Sequence, residues 1–416
     1  MVPFEGRDNE VSLHKARERT VEEFRYALST AEDSEISLIW NHHREEEMST
    51  EDRTTWSRIL MHCVSMLLQY SRQLVNVDLW HLNEDEYSFA KAWLSGLESP
   101  CGLQRLIVSA CRAESDNTST DFDATLPLYN IGYHGPYLCL GSSFLSLSDI
   151  QFSYTESPNI QALPPTLREL RLSGTSHKSN PFQGIPHHFL GTLQLNGTAV
   201  DAVMTGHSID LSILHRLHLS GRSINVLLWL LSTINAPRLE SLYLEPSSDY
   251  EAWKAPASVI ETQPTLYQRL MKLEVRVYMD KQLPHVLSRL NSLINNSAPG
   301  LEHLHLRPLQ SYRRMNESGD DEGDNRINKV LFRTPEKITL DLEMLNIAVD
   351  EVLSCLGEGT DMEELVIRVR FSSETPVVVK NIYDFPHMKA LVLRGKNVHS
   401  LADHIRGPLL TSVELE

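Results

Sequence analysis

The sequence lacks the paired cysteines that mark a disulfide framework or a zinc site. Its five cysteines are an odd number in 416 residues, lie far apart and include no CxxC pair. The histidine-rich run HHREEE (42–47) and the pair His187–His188 are interpreted as solvated surface, because adjacent histidines on a helix point about 100° apart. We therefore expect free thiols, mostly in the core, with no metal ligands and no cofactor.

Long apolar runs and basic charge are also scarce. No stretch reaches the roughly 18 apolar residues of a membrane span, and residues 1–20 carry charges where a secretory signal needs an apolar run. Asp and Glu total 55 against 38 Lys and Arg, for a formal net charge of -17. Because nucleic acids and anionic membranes select basic surfaces, neither is expected as a partner. We expect an intracellular protein, cytoplasmic or nuclear.

The common catalytic signatures are missing as well. The sequence contains no G-x-S-x-G elbow, P-loop, H-E-x-x-H or Rossmann glycine fingerprint. The first hypothesis is therefore a non-enzymatic protein with no catalytic residue. An unrecognised hydrolase, using His with Asp or Glu in a concavity, remains the alternative, and a deep pocket with a buried His and carboxylate pair would favour it.

What the sequence does contain is a repeat of the form apolar-x-x-apolar-x-apolar. From Leu147 onward, successive copies begin 20 to 34 residues apart, which is typical of a repeat array with loop insertions. The copies are LVNVDL (from Leu74), LQRLIV (Leu103), LSDIQF (Leu147), LRELRL (Leu167), LGTLQL (Leu190), LHRLHL (Leu214), LESLYL (Leu239), LMKLEV (Leu270), LEHLHL (Leu301), PEKITL (Pro335), MEELVI (Met362), MKALVL (Met388) and LTSVEL (Leu410).

This spacing predicts short parallel strands joined by helices. The first, fourth and sixth positions should point inward, while the second, third and fifth face solvent. Helical periodicity between the strands covers 225–235, 283–296, 344–357 and 398–407. The predicted fold class is α/β: a leucine-rich-repeat solenoid, or horseshoe, with a parallel concave sheet and a helical convex face.

Two domains are predicted: an N-terminal helical cap region at 1–73 and the repeat array at 74–416. Helical patterns at 12–32 and 54–73 form the cap, and a further helix at 87–99 leads into the array. Polar stretches at about 112–135 and 311–329 are expected to be mobile insertions. Because the sequence ends on a strand pattern, we expect that this strand pairs with something or that the reading frame continues.

The fifth repeat position is the expected binding surface, because it lies at the middle of the concave face. Arg171, His218, Tyr243 and His305 are the first candidates for contacting a protein partner, since Arg and aromatic residues are favoured anchors. Flanking positions add further candidates, and together they predict a basic patch that attracts an acidic segment of a protein. The flanking residues are Arg168, His215, Arg216, His303 and Arg307. The full middle row is Ile107, Gln151, Arg171, Gln194, His218, Tyr243, Glu274, His305, Thr339, Val366 and Val392.

The phrases LLSTINAPRLESLYLE and LINNSAPGLEHLHL, with helix-rich repeats of variable length, resemble fungal F-box and leucine-rich-repeat proteins with ribonuclease-inhibitor-like repeats. The resemblance covers roughly residues 74–416. It implies that the repeats would hold substrates for ubiquitin ligation, while an N-terminal F-box would bind the ligase's adaptor subunit. Residues 1–60 contain no recognisable F-box, because neither Trp40 nor Trp56 lies in the motif's usual context.

Overall fold

A computed structural model shows parallel β-solenoid structure in two compact units, residues 1–186 and 187–416. The cap and array division predicted at residue 73 stays a prediction. The structure describes residues 10–30, 34–41, 50–95, 97, 102–110, 130–134, 149–153, 167–173, 190–197, 209–222, 224–247, 267–279, 287, 290–291, 293–295, 298–310, 335–344, 352–354, 356, 361–371, 381–395 and 398–415.

The first unit contains a parallel sheet in which the strands follow one another in chain order. Each strand from β1 to β6 is hydrogen-bonded in parallel to the next. Its described elements are α1 (Glu10–Thr30), β1 (Ile36–Asn41), α2 (Thr50–Leu67), β2 (Leu74–Leu82), α3 (Glu84–Ser95), β3 (Arg105–Ala110), β4 (Asn130–His134), β5 (Asp149–Ser153) and β6 (Glu169–Ser173).

The second unit repeats this arrangement. Its main parallel sheet has the order β7-β9-β11-β12-β13-β14-β15-β17-β19, and β8 pairs with β10 and β16 with β18 at a second side of the coils. Its described elements are β7 (Thr192–Asn196), β8 (Ile209–Asp210), β9 (Arg216–Ser220), α4 (Ile224–Thr233), β10 (Ile234–Asn235), β11 (Ser241–Glu245), β12 (Lys272–Met279), β13 (His303–Gln310), β14 (Lys337–Met344), β15 (Glu364–Phe371), β16 (Tyr383–Asp384), β17 (Ala390–Arg394), β18 (Ile405–Arg406) and β19 (Ser412–Leu415).

The apolar repeat positions form the core, which confirms the predicted strand register. In the second unit, the fourth and sixth positions of every repeat from Leu193 to Leu393 are at most 2% exposed. Neighbouring strands place equivalent residues side by side: Leu217 beside Leu242, and Leu242 beside Leu273. Each coil therefore buries its leucines against the coils before and after it, as expected for a solenoid.

The second side of the coils is less regular than the sequence predicts. Helix α4 lies where 225–235 was predicted helical, and it buries Leu227, Leu228, Leu230 and Leu231. The helix predicted at 398–407 is wrong, because this segment forms a short 3-10 turn at His399–Asp403 followed by β18. Within 283–296 and 344–357, the described residues include helical fragments at 290–291, 293–295 and 352–354, whereas Met344 ends β14.

Two strands of the main sheet pattern, β1 and β4, were not predicted, and each has an identifiable reason. Strand β1 lies inside the predicted cap region and pairs with β2, but Glu35 stands at the first repeat position and breaks the apolar pattern. Strand β4 lies inside the span 112–135, so the predicted insertion ends before Asn130. Its sequence LYNIGY fits the repeat once Tyr133 is accepted at the sixth position. Residues 111–129 and 311–334 lie outside the described residues.

A glycine allows the turn that ends β9. Gly221 has a φ of 76°, and a Cβ atom there would lie 2.8 Å from the backbone nitrogen of Gly197 in the preceding coil. The Gly221 amide in turn donates a hydrogen bond to the carbonyl of Glu245 in the following coil. Consecutive coils thus remain hydrogen-bonded beyond the ends of their strands, which fixes the register of the side chains on both faces of the sheet.

Replacing Leu242 with Asp tests this stacking. Leu242 is fully buried between neighbouring strands, so a carboxylate there loses apolar packing and lacks a partner. We expect the free energy of unfolding to fall by about 3–5 kcal/mol. The measurement is urea unfolding followed by circular dichroism.

The matched control is Ser241→Asp, which adds the same charge to the half-buried face of the same strand, beside Arg216 and Lys272. We expect this variant to unfold at nearly the wild-type urea concentration. Equal losses in the two variants would contradict the register.

Candidate protein-binding face

The side chains opposite the leucines form three parallel rows across the second unit. Because residues alternate between the two faces of a strand, each main-sheet strand from β9 to β17 contributes one residue to each row. We call these 21 positions the polar face. The first row is Arg216, Ser241, Lys272, His303, Lys337, Glu364 and Ala390; the middle row is His218, Tyr243, Glu274, His305, Thr339, Val366 and Val392; the third row is Ser220, Glu245, Arg276, Arg307, Asp341, Arg368 and Arg394.

The polar face is basic in a chain that is acidic as a whole. Its three rows hold seven Lys and Arg residues but only four Asp and Glu residues, whereas the full chain has a net charge of -17. Several of the basic side chains remain partly open to solvent: 48% for Lys272 and 36% for both Arg276 and Lys337. The face therefore has the charge that attracts an anionic segment.

A cluster of four charged or titratable side chains lies at the centre of the polar face. The His305 ring lies between two carboxylates, with Nδ1 3.5 Å from Glu274 and Nε2 3.7 Å from Asp341. Arg307 reaches the same two carboxylates, at 3.1 Å and 3.5 Å. The hydrogen bond from His305, aided by the positive charge of Arg307, lowers the pKa of Glu274 although burial opposes this shift. The cluster joins β12, β13 and β14 across the face.

His303 lies beside this cluster and is held neutral. Its ring stacks on His305 with centroids 6.0 Å apart, and its Nε2 lies 2.9 Å from the Thr339 hydroxyl. Burial lowers the pKa of His303 to about 4, and the positive charges of its neighbours, including Lys337, add to this effect. His303 is therefore uncharged at neutral pH and contributes a hydrogen bond, not a charge, to the face.

Aromatic and basic side chains meet at the β9 end of the polar face. The His218 ring contacts Tyr243 edge-on, with centroids 4.1 Å apart, and the Arg276 guanidinium lies 5.8 Å from the Tyr243 ring centre. Glu245 accepts hydrogen bonds from Arg276 at 2.8 Å and from the Tyr243 hydroxyl at 3.4 Å. Burial and the charge of Glu245 raise the pKa of Tyr243, so its hydroxyl stays protonated. These contacts hold the Tyr243 ring in one orientation.

The structure brings together most of the predicted binding residues. Arg216, His218, Tyr243, His303, His305 and Arg307 all lie on the polar face. His215 precedes β9 and lies 3.3 Å from Glu240, outside the three rows. In the first unit, Arg168 is exposed before β6, and Arg171 on β6 pairs with Glu169 of the same strand at 2.6 Å.

The expectation that the whole middle row faces solvent is wrong. His305, Thr339, Val366 and Val392 are buried, with 1–7% exposure, and Ile107 in the first unit is 7% exposed. The accessible part of the polar face therefore consists of its flanking rows and of the middle row near Tyr243. Sequence reasoning did not single out the basic residues of these flanking rows. Lys272 and Lys337 are at the third position of their repeats, and continuing the strand alternation beyond the sixth position would have found Arg276, Arg368 and Arg394.

Outside the polar face, the part of the chain that the structure describes contains one free thiol and a small, mainly apolar pocket. Those residues contain no group of three or more His, Cys, Asp or Glu side chains arranged to hold a metal ion. Cys63, the cysteine within that part, is a free thiol buried in α2, and burial raises its pKa to about 11. A pocket away from the polar face is lined mainly by Leu353, Leu356, Tyr383 and Phe385.

No protein-family model matches the chain, and no curated protein matches it. Within the described residues, no helix has both the length and the apolar character needed to cross a lipid bilayer.

The pKa of His303 predicts a pH-dependent contribution to stability. Its folded pKa of about 4 lies below the ordinary 6.5, so the unfolded chain takes up the proton first as pH falls. Stability from the neutral ring is thus complete above pH 6.5, is lost between pH 6.5 and 4, and changes little below pH 4. We expect His303→Gln to lack this component, because its amide keeps a hydrogen-bonding group near Thr339 but does not titrate.

The measurement is the melting temperature of both proteins at pH 7, 5.5 and 4.5. The wild type should lose several degrees relative to His303→Gln as the pH falls. Curves that remain parallel over this range would contradict the assignment of a neutral, buried His303.

Proposed function

We propose that the chain is a non-enzymatic protein-interaction module whose polar face binds an acidic segment of another protein. The observation that carries this proposal is the excess of seven basic over four acidic side chains on the face of a chain with net charge -17. Complementary charge speeds encounter and selects partners, and the fixed strands hold the basic groups in place without large ordering costs.

We further propose that the solenoid is a leucine-rich-repeat horseshoe with a helical convex face. Support comes from the hexamer repeat, whose inward leucines are almost fully buried in parallel strands, and from α4 on the second side of the coils. The resemblance to F-box and leucine-rich-repeat proteins suggests one role: a substrate receptor for a ubiquitin ligase. Recruitment of the ligase adaptor would then depend on the region before Leu74, in which no F-box motif is recognisable.

The buried arrangement of His305 with Glu274 and Asp341 is the observation that bears on the hydrolase alternative. A hydrolase also needs a nucleophile that a substrate can reach. The Thr339 hydroxyl lies 2.9 Å from Nε2 of the neighbouring His303, but Thr339 is 1% exposed. This burial, together with the salt bridges from Arg307 to both carboxylates, favours a structural role for the cluster.

Charge reversal on the polar face tests the proposed function. The full chain, immobilised, would be used to capture proteins from its native cells, and mass spectrometry would identify them. We expect proteins with acidic segments to be retained, to elute with rising salt, and to be lost from a Lys272→Glu, Arg276→Glu double variant.

The matched control is Arg238→Glu together with Arg269→Glu, which reverses two exposed charges before β11 and β12, outside the rows. Equal capture by wild type, double variant and control would refute binding through the polar face.

A further inference from the structure

Two sites on the polar face differ from the rest in what they offer a partner. One is the ring of Tyr243 on β11, which is half-buried and held in place by its neighbours. The other is the guanidinium of Arg368 on β15. We propose that the polar face recognises a two-part motif in an acidic peptide: an aromatic or large apolar side chain that packs on Tyr243, and carboxylates six or seven residues away that pair with Arg368.

This inference rests on the proposed function and specifies its partner. Tyr243 suits an anchor because the edge of His218 and the guanidinium of Arg276 already fix its ring. A ring that is ordered before binding loses little conformational entropy when a partner packs on it. Aromatic side chains in such positions commonly contribute most of the binding energy of an interface.

Arg368 differs from Arg276 and Arg307 of the third row, because it has no acidic partner among the described residues. Arg276 is paired with Glu245 at 2.8 Å, and Arg307 lies near two carboxylates. Asp341, the neighbour of Arg368 in register, is directed to Arg307 and His305. Among the described residues, none forms an ion pair with Arg368 or accepts a hydrogen bond from its buried Nε.

The second neighbour of Arg368 in register is Arg394, so two guanidinium groups lie on adjacent strands. A carboxylate that arrives at Arg368 makes charge-assisted hydrogen bonds with a guanidinium that has no acidic partner among the described residues. A partner carboxylate therefore gains more at Arg368 than at arginines whose charge is already neutralised within the chain.

The strand order sets the distance between the two sites. Four strand steps separate β11 from β15, and at about 4.8 Å per step the separation is roughly 19 Å. An extended peptide advances about 3.3 Å per residue, so roughly six residues span this distance across the strands. Because His305 and Thr339 are buried, the connecting residues would pass over the partly exposed side chains of Arg276 and Arg307 in the third row.

A peptide series tests the motif and its spacing. The probes are fluorescein-labelled peptides with one Trp and the block Asp-Glu-Asp, separated by two, six or ten Gly/Ser residues, and their binding to the full chain is followed by fluorescence anisotropy. We expect the six-residue spacer to bind at least tenfold more tightly than the two-residue spacer, and the ten-residue spacer to fall between them. Equal affinities for all three spacers would overturn the proposal.

Substitutions assign each half of the motif. Arg368→Met keeps the apolar stem and removes the charge. It should therefore weaken the binding of the six-residue-spacer peptide about tenfold and leave the affinity for a peptide without the acidic block unchanged. Tyr243→Ser should instead weaken the binding of peptides that carry Trp. It should leave unchanged the binding of a peptide that carries only the acidic block. Arg238→Met, exposed outside the rows, is the matched control and should bind as the wild type does.

The melting temperature of each variant, close to the wild-type value, establishes that lost affinity is not lost folding. Binding that depends on acidic charge and on Lys272 and Arg276, but not on Trp, spacing or Arg368, would overturn the two-part motif while supporting the proposed function. Absence of binding by every acidic peptide, together with absence of salt-sensitive protein capture, would overturn both.

Discussion

The burial of inward leucines between neighbouring coils is the interaction on which the rest of the structure depends. No single strand can bury Leu242 or Leu304 by itself; each is enclosed by residues of the strands on either side. This requirement fixes the parallel register, and the pleat then fixes what lies on the opposite face. The rows of the polar face are thus a geometrical consequence of the core, and residues distant in the chain become neighbours about 4.8 Å apart.

That fixed geometry explains how charged groups can lie so close to the core. Burying an unpaired charge costs several kcal/mol, but Glu274, His305, Arg307 and Asp341 satisfy one another across three strands. The ion pairs of this cluster hold its four side chains in place at the centre of the polar face. The positive charge that remains available for a partner therefore belongs to the flanking rows, above all to Arg368, for which the described part of the chain provides no carboxylate.

The sequence predicted the inward half of this architecture better than the outward half. The hexamer identifies Leu242 and Leu304 correctly because apolar burial acts on each repeat in the same way. It misses β1, where Glu35 interrupts the pattern. Among site residues, His218 and Tyr243 follow directly from the alternation.

Arg276 and Arg368 were missed because they lie beyond the sixth repeat position, where the apolar pattern no longer marks the strand. The burial of His305 could not be predicted either, since it depends on Glu274 and Asp341, which the chain separates from it by about 31 and 36 residues. Which charges pair depends on the residues that the fold brings together, and the repeat pattern of the sequence does not encode this.

The most direct test of the account is a serine scan of β12 that records melting temperature and affinity for the six-residue-spacer peptide at each position. Serine at Leu273 or Val275 should lower the melting temperature by many degrees, whereas serine at Lys272 or Arg276 should weaken peptide binding with little thermal effect. Stability and affinity losses that fall on the same positions, without this alternation, would contradict the account.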